Sequence, residues 1–154
     1  MICYRKATID DLEQLVRLRL EFLREIQGGK SAEQEAEVRQ AFESYLRTAM
    51  ARKEFIAWVA CDGEQIVGTS GLCFCMLPPS HKNVTGRAAD ILNMYTQSNY
   101  RNRGIATNLF KKITDEAVSL GYKNLFLHAT EKGKPLYLKF GFKCTDNEMV
   151  LNVE

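Results

Sequence analysis

Residues 54–77, EFIAWVACDGEQIVGTSGLCFCML, contain two apolar runs rich in β-branched and aromatic residues, joined by Asp62-Gly63. Asp-Gly between two such runs is a strong signal for a tight β-hairpin. An apolar hairpin needs neighbouring strands and covering helices to be stable in water. The sequence therefore predicts a sheet at the centre of the fold, with helices packed on it.

The segments around the hairpin alternate between strand and helix patterns. Thr8 and Asp11 form a capping-box pattern that opens a helix over 9–27, and Gly121 ends an amphipathic helix over 104–121. Other patterns predict a strand over 2–7, a charged helix over 32–52, strands over 88–96 and 123–130, a short helix over 133–141 and a final strand over 142–153. The predicted fold is one mixed α/β domain over 1–154: a single-layer, mostly antiparallel sheet with one parallel β-α-β crossover and helices on both faces.

Composition narrows the classes of function. The chain has 154 residues, 45% of them hydrophobic and 26% charged, with a formal net charge of +2. This balance is typical of a soluble globular protein and predicts no nucleic-acid or membrane partner. Five cysteines without CxxC or Cys/His spacing indicate neither a metal site nor disulfides, as in a reducing compartment. With no signal peptide and no apolar run near 18 residues, we expect a cytoplasmic protein and leave a homodimer open.

Residues 95–113, YTQSNYRNRGIATNLFKKI, open a helix without a Ser, Thr or Asp N-cap. Instead, Arg101 and Arg103 stand at the helix start, where the helix dipole is already positive and an arginine is unfavourable. A bound anion would reverse that balance, and Gly104 and Ala106 would let it approach the free backbone N–H groups closely. The pattern favours a phosphate-binding turn, with a solvated basic loop as the alternative.

Two motifs resemble those of the GNAT superfamily of N-acetyltransferases. The segment YRNRGIATNL (100–109) is similar to the family's pyrophosphate-binding segment, and PLYLKFGF (135–142) resembles its L-Y-x-K-x-G-F signature. The order of elements resembles the family over essentially the whole chain, and the resemblance implies acetyl-CoA as acyl donor. In the family, the pantetheine arm lies between two parted strands and binds backbone at positions matching Met94 and Thr96. The implied cofactor-binding residues are Met94, Tyr95, Thr96, Arg101, Asn102, Arg103, Gly104, Ile105, Ala106, Thr107 and Thr130, the last replacing an asparagine found in many members.

The resemblance also implies one catalytic residue, Tyr137, near the sulfur of CoA. Because a tyrosine has a pKa of about 10 and a thiol about 8.5, full proton transfer to the leaving thiolate would be uphill by roughly 2 kcal/mol. We therefore interpret Tyr137 as a hydrogen-bond donor to that thiolate, with a core aromatic as the alternative. A backbone N–H near Met94–Tyr95 would donate a hydrogen bond to the oxyanion that develops on the acetyl carbonyl oxygen during transfer. Cys73 and Cys75 could instead carry a covalent acetyl group, but nothing in the sequence activates them.

The sequence does not specify a general base. Many relatives place a carboxylate a few residues before the strand bulge, whereas this chain has Asn93 in that region. We expect Asp90 to lie too early on the strand. His128, Glu131, a relayed water and no base at all are the open alternatives.

The resemblance therefore implies acetyl transfer from acetyl-CoA to a primary amine of a small molecule or peptide, directly within a ternary complex. The acceptor cannot be identified from the sequence: His81, Lys82 and Arg87 of the polar loop 78–87 could meet an anionic acceptor or simply be solvated. The rival function is a CoA- or acyl-CoA-binding sensor that has lost catalysis, which the missing carboxylate permits. Tyr137 favours the enzyme, because binding alone needs no donor at the sulfur.

Overall fold

The hairpin predicted at Asp62-Gly63 forms the middle of a five-stranded sheet. The computed structural model describes residues 1–153, in which β1 (Ile2–Lys6), β2 (Phe55–Asp62), β3 (Gln65–Met76), β4 (Arg87–Thr96) and β5 (Asn124–Leu127) lie side by side in chain order. The first four strands are antiparallel to their neighbours, and β5 runs parallel to β4. The mixed sheet with one parallel crossover is therefore confirmed.

Helices cover both faces of this sheet. One face carries α1 (Leu12–Gln27) and α2 (Ala32–Ala51), and the other carries α3 (Ile105–Ser119) with the short α4 (Lys134–Lys139) beside it. The Thr8 backbone N–H donates to Asp11 Oδ2 at 2.8 Å, as the capping-box pattern predicts. A 3₁₀ turn over Ile9–Asp11 follows Thr8, so the α-helix begins three residues later than predicted.

Aromatic packing fixes the C-terminal region against the sheet. Phe110 of α3 is fully buried. Its ring centroid lies 5.0, 4.8 and 5.5 Å from those of three later aromatic residues, respectively Tyr137, Phe140 and Phe142. Because offset and edge-on ring contacts of this kind stabilise specific orientations, α4 has a defined position relative to β4.

Strand β4 is irregular where it leaves β5. A bulge puts two residues of β4, Asn93 and Met94, opposite one residue of β3. Asn93 has a φ of +54°, a left-handed conformation that asparagine tolerates better than most residues. β5 pairs with β4 only as far as Ile91. Beyond Ile91 the two strands part, and the edge of β4 over 92–96 has no strand partner on that side among the described residues.

Two predictions for the last third of the chain are wrong. The strand predicted over 123–130 as buried is confined to Asn124–Leu127 and is half-exposed, because β5 lies at the edge of the described sheet. No strand forms over 142–153. The polar run 145–148 interrupts the apolar pattern there, and β5 offers an edge of only four residues for pairing. The apolar side chains at the end of this segment stay exposed: Met149, Val150, Leu151 and Val153.

Two further observations apply to residues 1–153. No helix among them is both long and apolar enough to cross a bilayer. Within the same range, no group of three or more His, Cys, Asp and Glu side chains could hold a metal ion. The cytoplasmic location stays a prediction.

Candidate functional site

A groove of about 600 Å³ opens where β4 and β5 part. Its walls come from the end of α1, the bulged half of β4, the start of α3 and residues 130–137. Eight predicted site residues line it: Met94, Tyr95, Thr96, Arg101, Ala106, Thr107, Thr130 and Tyr137. The sequence did not single out the α1 residues of the wall, Phe22, Glu25 and Ile26, because only tertiary packing brings them to β4.

The other four predicted residues, Asn102, Arg103, Gly104 and Ile105, do not line the groove. Ile105 is 2% exposed, so its side chain belongs to the core and only its backbone could face a ligand. Gly104 is the N-cap of α3 with a φ of +75°, and no side chain caps this helix. A β-carbon at Gly104 would meet only Asn108 Nδ2, at 3.9 Å, so the space beside Gly104 is open. Open space at an uncapped helix N-terminus suits a bound anion.

Both arginines of the loop before α3 already have partners. Arg101 donates from Nε to the Thr96 carbonyl at 2.9 Å and from Nη2 to Glu25 Oε1 at 2.6 Å. Arg103 donates to the Asn99 carbonyl at 3.1 Å. A phosphate in the groove would therefore share Arg101 with Glu25 rather than meet an isolated cation.

One polar atom at the groove has no partner. Thr96 Oγ1 is buried and makes no hydrogen bond within residues 1–153. A buried hydroxyl without a partner is unfavourable by about 1–3 kcal/mol, so it points to a group that the chain itself does not supply. The unpaired edge of β4, this hydroxyl and the open N-terminus of α3 together fit the amide-containing arm and the diphosphate of CoA.

Tyr137 of α4 also lines the groove. It is 8% exposed, and its hydroxyl is 3.0 Å from the position that a β-carbon would take on Gly133. Burial raises the pKa of Tyr137. Because a higher pKa makes the phenol a weaker acid, this environment favours a hydrogen-bond donor over a full proton donor.

The bulge is held from the α1 face of the sheet. Arg19 Nη1 donates to Asn93 Oδ1 at 2.6 Å, and Asn93 is 8% exposed. The guanidinium carbon lies 5.9 and 5.8 Å from the ring centroids of Phe22 and Phe42. This hydrogen bond helps Asn93 to keep its left-handed backbone. The sequence offered no signal for Arg19 beyond its place on an amphipathic helix.

The structure changes the order of the base candidates. Asp90 lies on β4, three residues before the bulge. Leu92, two residues further along the strand, packs against the core under α1 and α2. Because side chains two residues apart on a strand share a face, Asp90 lies on the α1 and α2 face of the sheet. Burial raises the pKa of Asp90, and the charges of His128 and Glu148 modify it. Asp90 does not line the groove, so a bound amine would need an intervening water to pass it a proton, and its place too early on the strand stays an expectation.

The other two candidates are less suited to this role. His128 Nε2 is 2.6 Å from Glu148 Oε1, and this hydrogen bond raises the pKa of His128. A raised pKa keeps the imidazole protonated, and hence unable to accept a proton, to higher pH. Glu131 lines the groove but is exposed, without the burial that would strengthen it as a base.

The polar loop contributes little to the groove. Arg87 packs its guanidinium 4.3 Å from the ring centroid of Tyr122 and donates to the Leu120 carbonyl on the α3 face. The interpretation that Arg87 binds an anionic acceptor substrate is therefore wrong. His81 and Lys82 are exposed and do not line the groove.

The two cysteines of β3 are not activated as nucleophiles. Cys73 Sγ accepts a hydrogen bond from the Tyr45 hydroxyl at 3.4 Å. Burial raises the pKa of Cys75, which lowers its thiolate fraction. Neither environment favours a covalent acetyl-cysteine step.

Comparison with known proteins points to one family. Residues 13–142 match the sequence model of the acetyltransferase (GNAT) family. The chain is 32% identical over 91 residues to N-acetyltransferase 8B of Rattus norvegicus, a match that covers 57% of this chain and 39% of that protein. It is 27% identical over 95 residues to the uncharacterized N-acetyltransferase YsnE of Bacillus subtilis (strain 168), covering 58% of this chain and 57% of that protein. The match thus spans about two fifths of the length of the rat protein and somewhat over half of the length of the Bacillus protein.

Solved structures are similar over the whole chain. One is a predicted acetyltransferase with acetyl-CoA from Clostridium acetobutylicum, with a TM-score of 0.90 and 32% identity over 99% of this chain and 96% of that one. Another is a GCN5-related N-acetyltransferase from Ralstonia eutropha JMP134, with a TM-score of 0.88 and 30% identity over 99% of both chains. Both likenesses extend over nearly all of the chain that forms the sheet and its groove.

Proposed function

The chain belongs to the acetyltransferase (GNAT) family, and on that basis we propose that it transfers an acetyl group from acetyl-CoA to a primary amine of a small molecule or peptide, directly within a ternary complex. The observation that carries the proposal is the groove at the parting of β4 and β5, which is lined by the bulged residue Met94 and by Tyr137. Backbone N–H groups and a phenol in one groove are suited to a thioester carbonyl and its leaving sulfur.

The donor side of the groove follows from the same residues. Acetyl-CoA, when bound, supplies an activated acetyl thioester. In the proposal, the backbone N–H groups of the first turn of α3, over 104–107, hold the diphosphate, and Arg101 adds a cation. The unpaired edge of β4 binds the arm through backbone of Met94 and Thr96, and the Thr96 hydroxyl gains a partner. Roles for Tyr95, Asn102, Arg103, Ile105 and Thr130 stay predictions.

The transfer forms an N–C bond and breaks the C–S bond. The amine must first lose a proton, and Asp90 is proposed to accept it through a water. A backbone N–H at Met94–Tyr95 donates to the carbonyl oxygen as negative charge develops there. The Tyr137 hydroxyl donates to the sulfur as it leaves with the electron pair of the C–S bond.

The test is the release of thiol from acetyl-CoA by the purified protein, measured with and without a panel of primary amines. We expect release that depends on the amine, with one acetylated amine formed per thiol by mass spectrometry. A CoA sensor would bind CoA in calorimetry and release no thiol with any amine. That outcome would overturn the proposed enzyme and favour the sensor.

The diphosphate assignment predicts that Gly104→Val weakens CoA binding by about ten- to a hundredfold, the effect of losing one charge-assisted hydrogen bond. The valine side chain would fill the open space beside the helix N-terminus, and its backbone could not keep a φ of +75° without strain. Calorimetric titration of CoA into the folded variant measures the change.

Gly63→Val is the matched control for backbone strain. Gly63 also has a positive φ, +60°, with open space around it, but it lies in the β2–β3 turn away from the groove. We expect this variant to bind CoA like the wild type. Unchanged CoA affinity in Gly104→Val would contradict the diphosphate assignment.

A further inference from the structure

Arg19 is a charged side chain that the donor chemistry leaves unused. It is half-buried, and burial lowers its pKa. The other two arginines of α1 have carboxylate partners: Arg17 pairs with Glu21 and Arg24 with Glu35. For Arg19, no carboxylate of residues 1–153 is within ion-pair distance. A half-buried guanidinium without a counter-charge is unfavourable, and an anion from outside the chain would relieve that cost.

The contacts of Arg19 leave donors free for such an anion. Its hydrogen bond to Asn93 uses Nη1, while Nε and Nη2 have no partner among the described residues. The nearby rings of Phe22 and Phe42 interact with a guanidinium through its face, which does not consume its N–H groups. A guanidinium presents its remaining N–H groups as a planar fork that matches a carboxylate.

The free N–H groups of Arg19 lie beside the groove. The cavity beside Arg19 shares two wall residues with the groove, Phe22 and Tyr95. Asn93, which accepts from Arg19, directly precedes Met94 of the bulge. The cavity itself has only about 10 Å³, enough for about one water molecule. A small planar anion at its mouth is therefore favoured over a bulky one.

We propose that Arg19 binds a carboxylate on the acceptor, so that the substrate is a small amine that also carries a carboxylate group. The inference rests on the proposed function, since it names the class of acceptor for the same site. Arg19 is then a specificity-determining residue, and its hydrogen bond to Asn93 fixes the guanidinium beside the bulge.

The experiment compares three matched acceptors: phenylalanine, phenylalaninamide and phenethylamine, which differ in the carboxylate. We expect the wild type to favour phenylalanine over its amide in kcat/KM by about ten- to a hundredfold, mainly through KM, as for one charge-assisted contact. Arg19→Gln should abolish this preference, and Arg19→Lys should keep part of it. The basicity of each amine is the same for every enzyme variant, so the change in preference isolates the carboxylate contact.

Two controls separate a contact from general damage to the fold. Arg17→Gln removes a neighbouring arginine of α1 and should keep the wild-type preference. CoA affinity in Arg19→Gln should equal that of the wild type by calorimetry. A structural defect would slow all three acceptors alike, whereas loss of a carboxylate contact slows phenylalanine alone. If Arg19→Gln does not fold, Arg19→Lys carries the comparison.

Three results would overturn the inference. The first is a wild type that does not favour phenylalanine over its amide after each kcat/KM is divided by the fraction of neutral amine, and the second is the same preference in the wild type and in the Arg19 variant. The third is a stronger, Arg19-dependent preference for O-phosphoethanolamine, which would assign the fork to a phosphate. Absence of thiol release with every amine would instead overturn the proposed function on which the inference rests.

Discussion

Asp90→Asn should lower kcat/KM for a lysine-like amine by about 10²- to 10⁴-fold near neutral pH, the usual contribution of a positioned general base. Such an amine has a pKa of about 10.4, and freeing it from its proton at pH 7 requires roughly 4–5 kcal/mol. Burial raises the pKa of Asp90 and thereby makes its carboxylate a stronger base. The measurement is steady-state thiol release at several pH values for the wild type and the variant.

The pH dependence distinguishes a base from other causes of a slow enzyme. The rate with Asp90 should rise as the pH passes its raised pKa and then level off well below the pKa of the amine. Without a base, only the neutral amine reacts, so kcat/KM of Asp90→Asn should climb about tenfold per pH unit. The loss should therefore shrink as the pH rises.

The other base candidates, and a mechanism without a base, predict different rates. His128→Gln and Glu131→Gln should change the rate little, because the hydrogen bond that His128 makes to Glu148 raises the pKa of His128, and because Glu131 is exposed. A wild type that already climbs tenfold per pH unit through pH 7–9 would mean that no protein base operates. Equal rates in Asp90→Asn and the wild type would remove Asp90 from the mechanism.

Loss of activity in Asp90→Asn should not reflect unfolding. A carboxyl group whose pKa is raised by folding binds protons more readily in the folded state than in the unfolded state. Its charged form therefore lowers the free energy of unfolding, and this cost is fully present above the raised pKa. The neutral amide removes it, so the midpoint of thermal unfolding near neutral pH should be unchanged or higher.

Tyr137→Phe should lower kcat by about ten- to a thousandfold while folding and CoA affinity survive, in line with the loss of one transition-state donor. The ring that packs on Phe110 at 5.0 Å is kept, and only the hydroxyl is removed. Single-turnover thiol release, under conditions in which chemistry limits the rate, gives the comparison.

Tyr122→Phe is the matched control for Tyr137. Tyr122 also packs in the α3 layer, with its ring 4.6 Å from that of Phe74, but it does not line the groove. We expect wild-type kcat from this variant. If Tyr137→Phe were equally fast, the phenol would have only a packing role and would be removed from the mechanism.

Local signals in the sequence were sufficient for much of the fold and for the uncapped start of α3. Asp62-Gly63 predicted the central hairpin because a two-residue turn has few possible geometries. The helix that starts after Gly104 without a capping side chain was visible as a missing N-cap, and the structure has it there. These features depend on residues within a few positions of each other.

The acceptor side depends on contacts between distant segments. Arg19 and Asn93 are 74 positions apart, and nothing in either segment announces their hydrogen bond. The position of the bulge, which sets the strand faces around Asp90, comes from pairing with β3 and has no local signal. The prediction of a final strand over 142–153 was wrong for a related reason: a strand needs a partner edge of sufficient length, and β5 offers only four residues.

The unpaired edge of β4 over 92–96 also affects how long the chain stays folded. A ligand that fills this edge replaces a missing strand, and it binds the native state alone. Mass action then adds about 2.7 kcal/mol to the free energy of unfolding at a ligand concentration of 100 Kd. If acetyl-CoA is that ligand, as proposed, resistance to proteolysis would follow the supply of acetyl-CoA, so the abundance of this protein would respond to the concentration of its acyl donor.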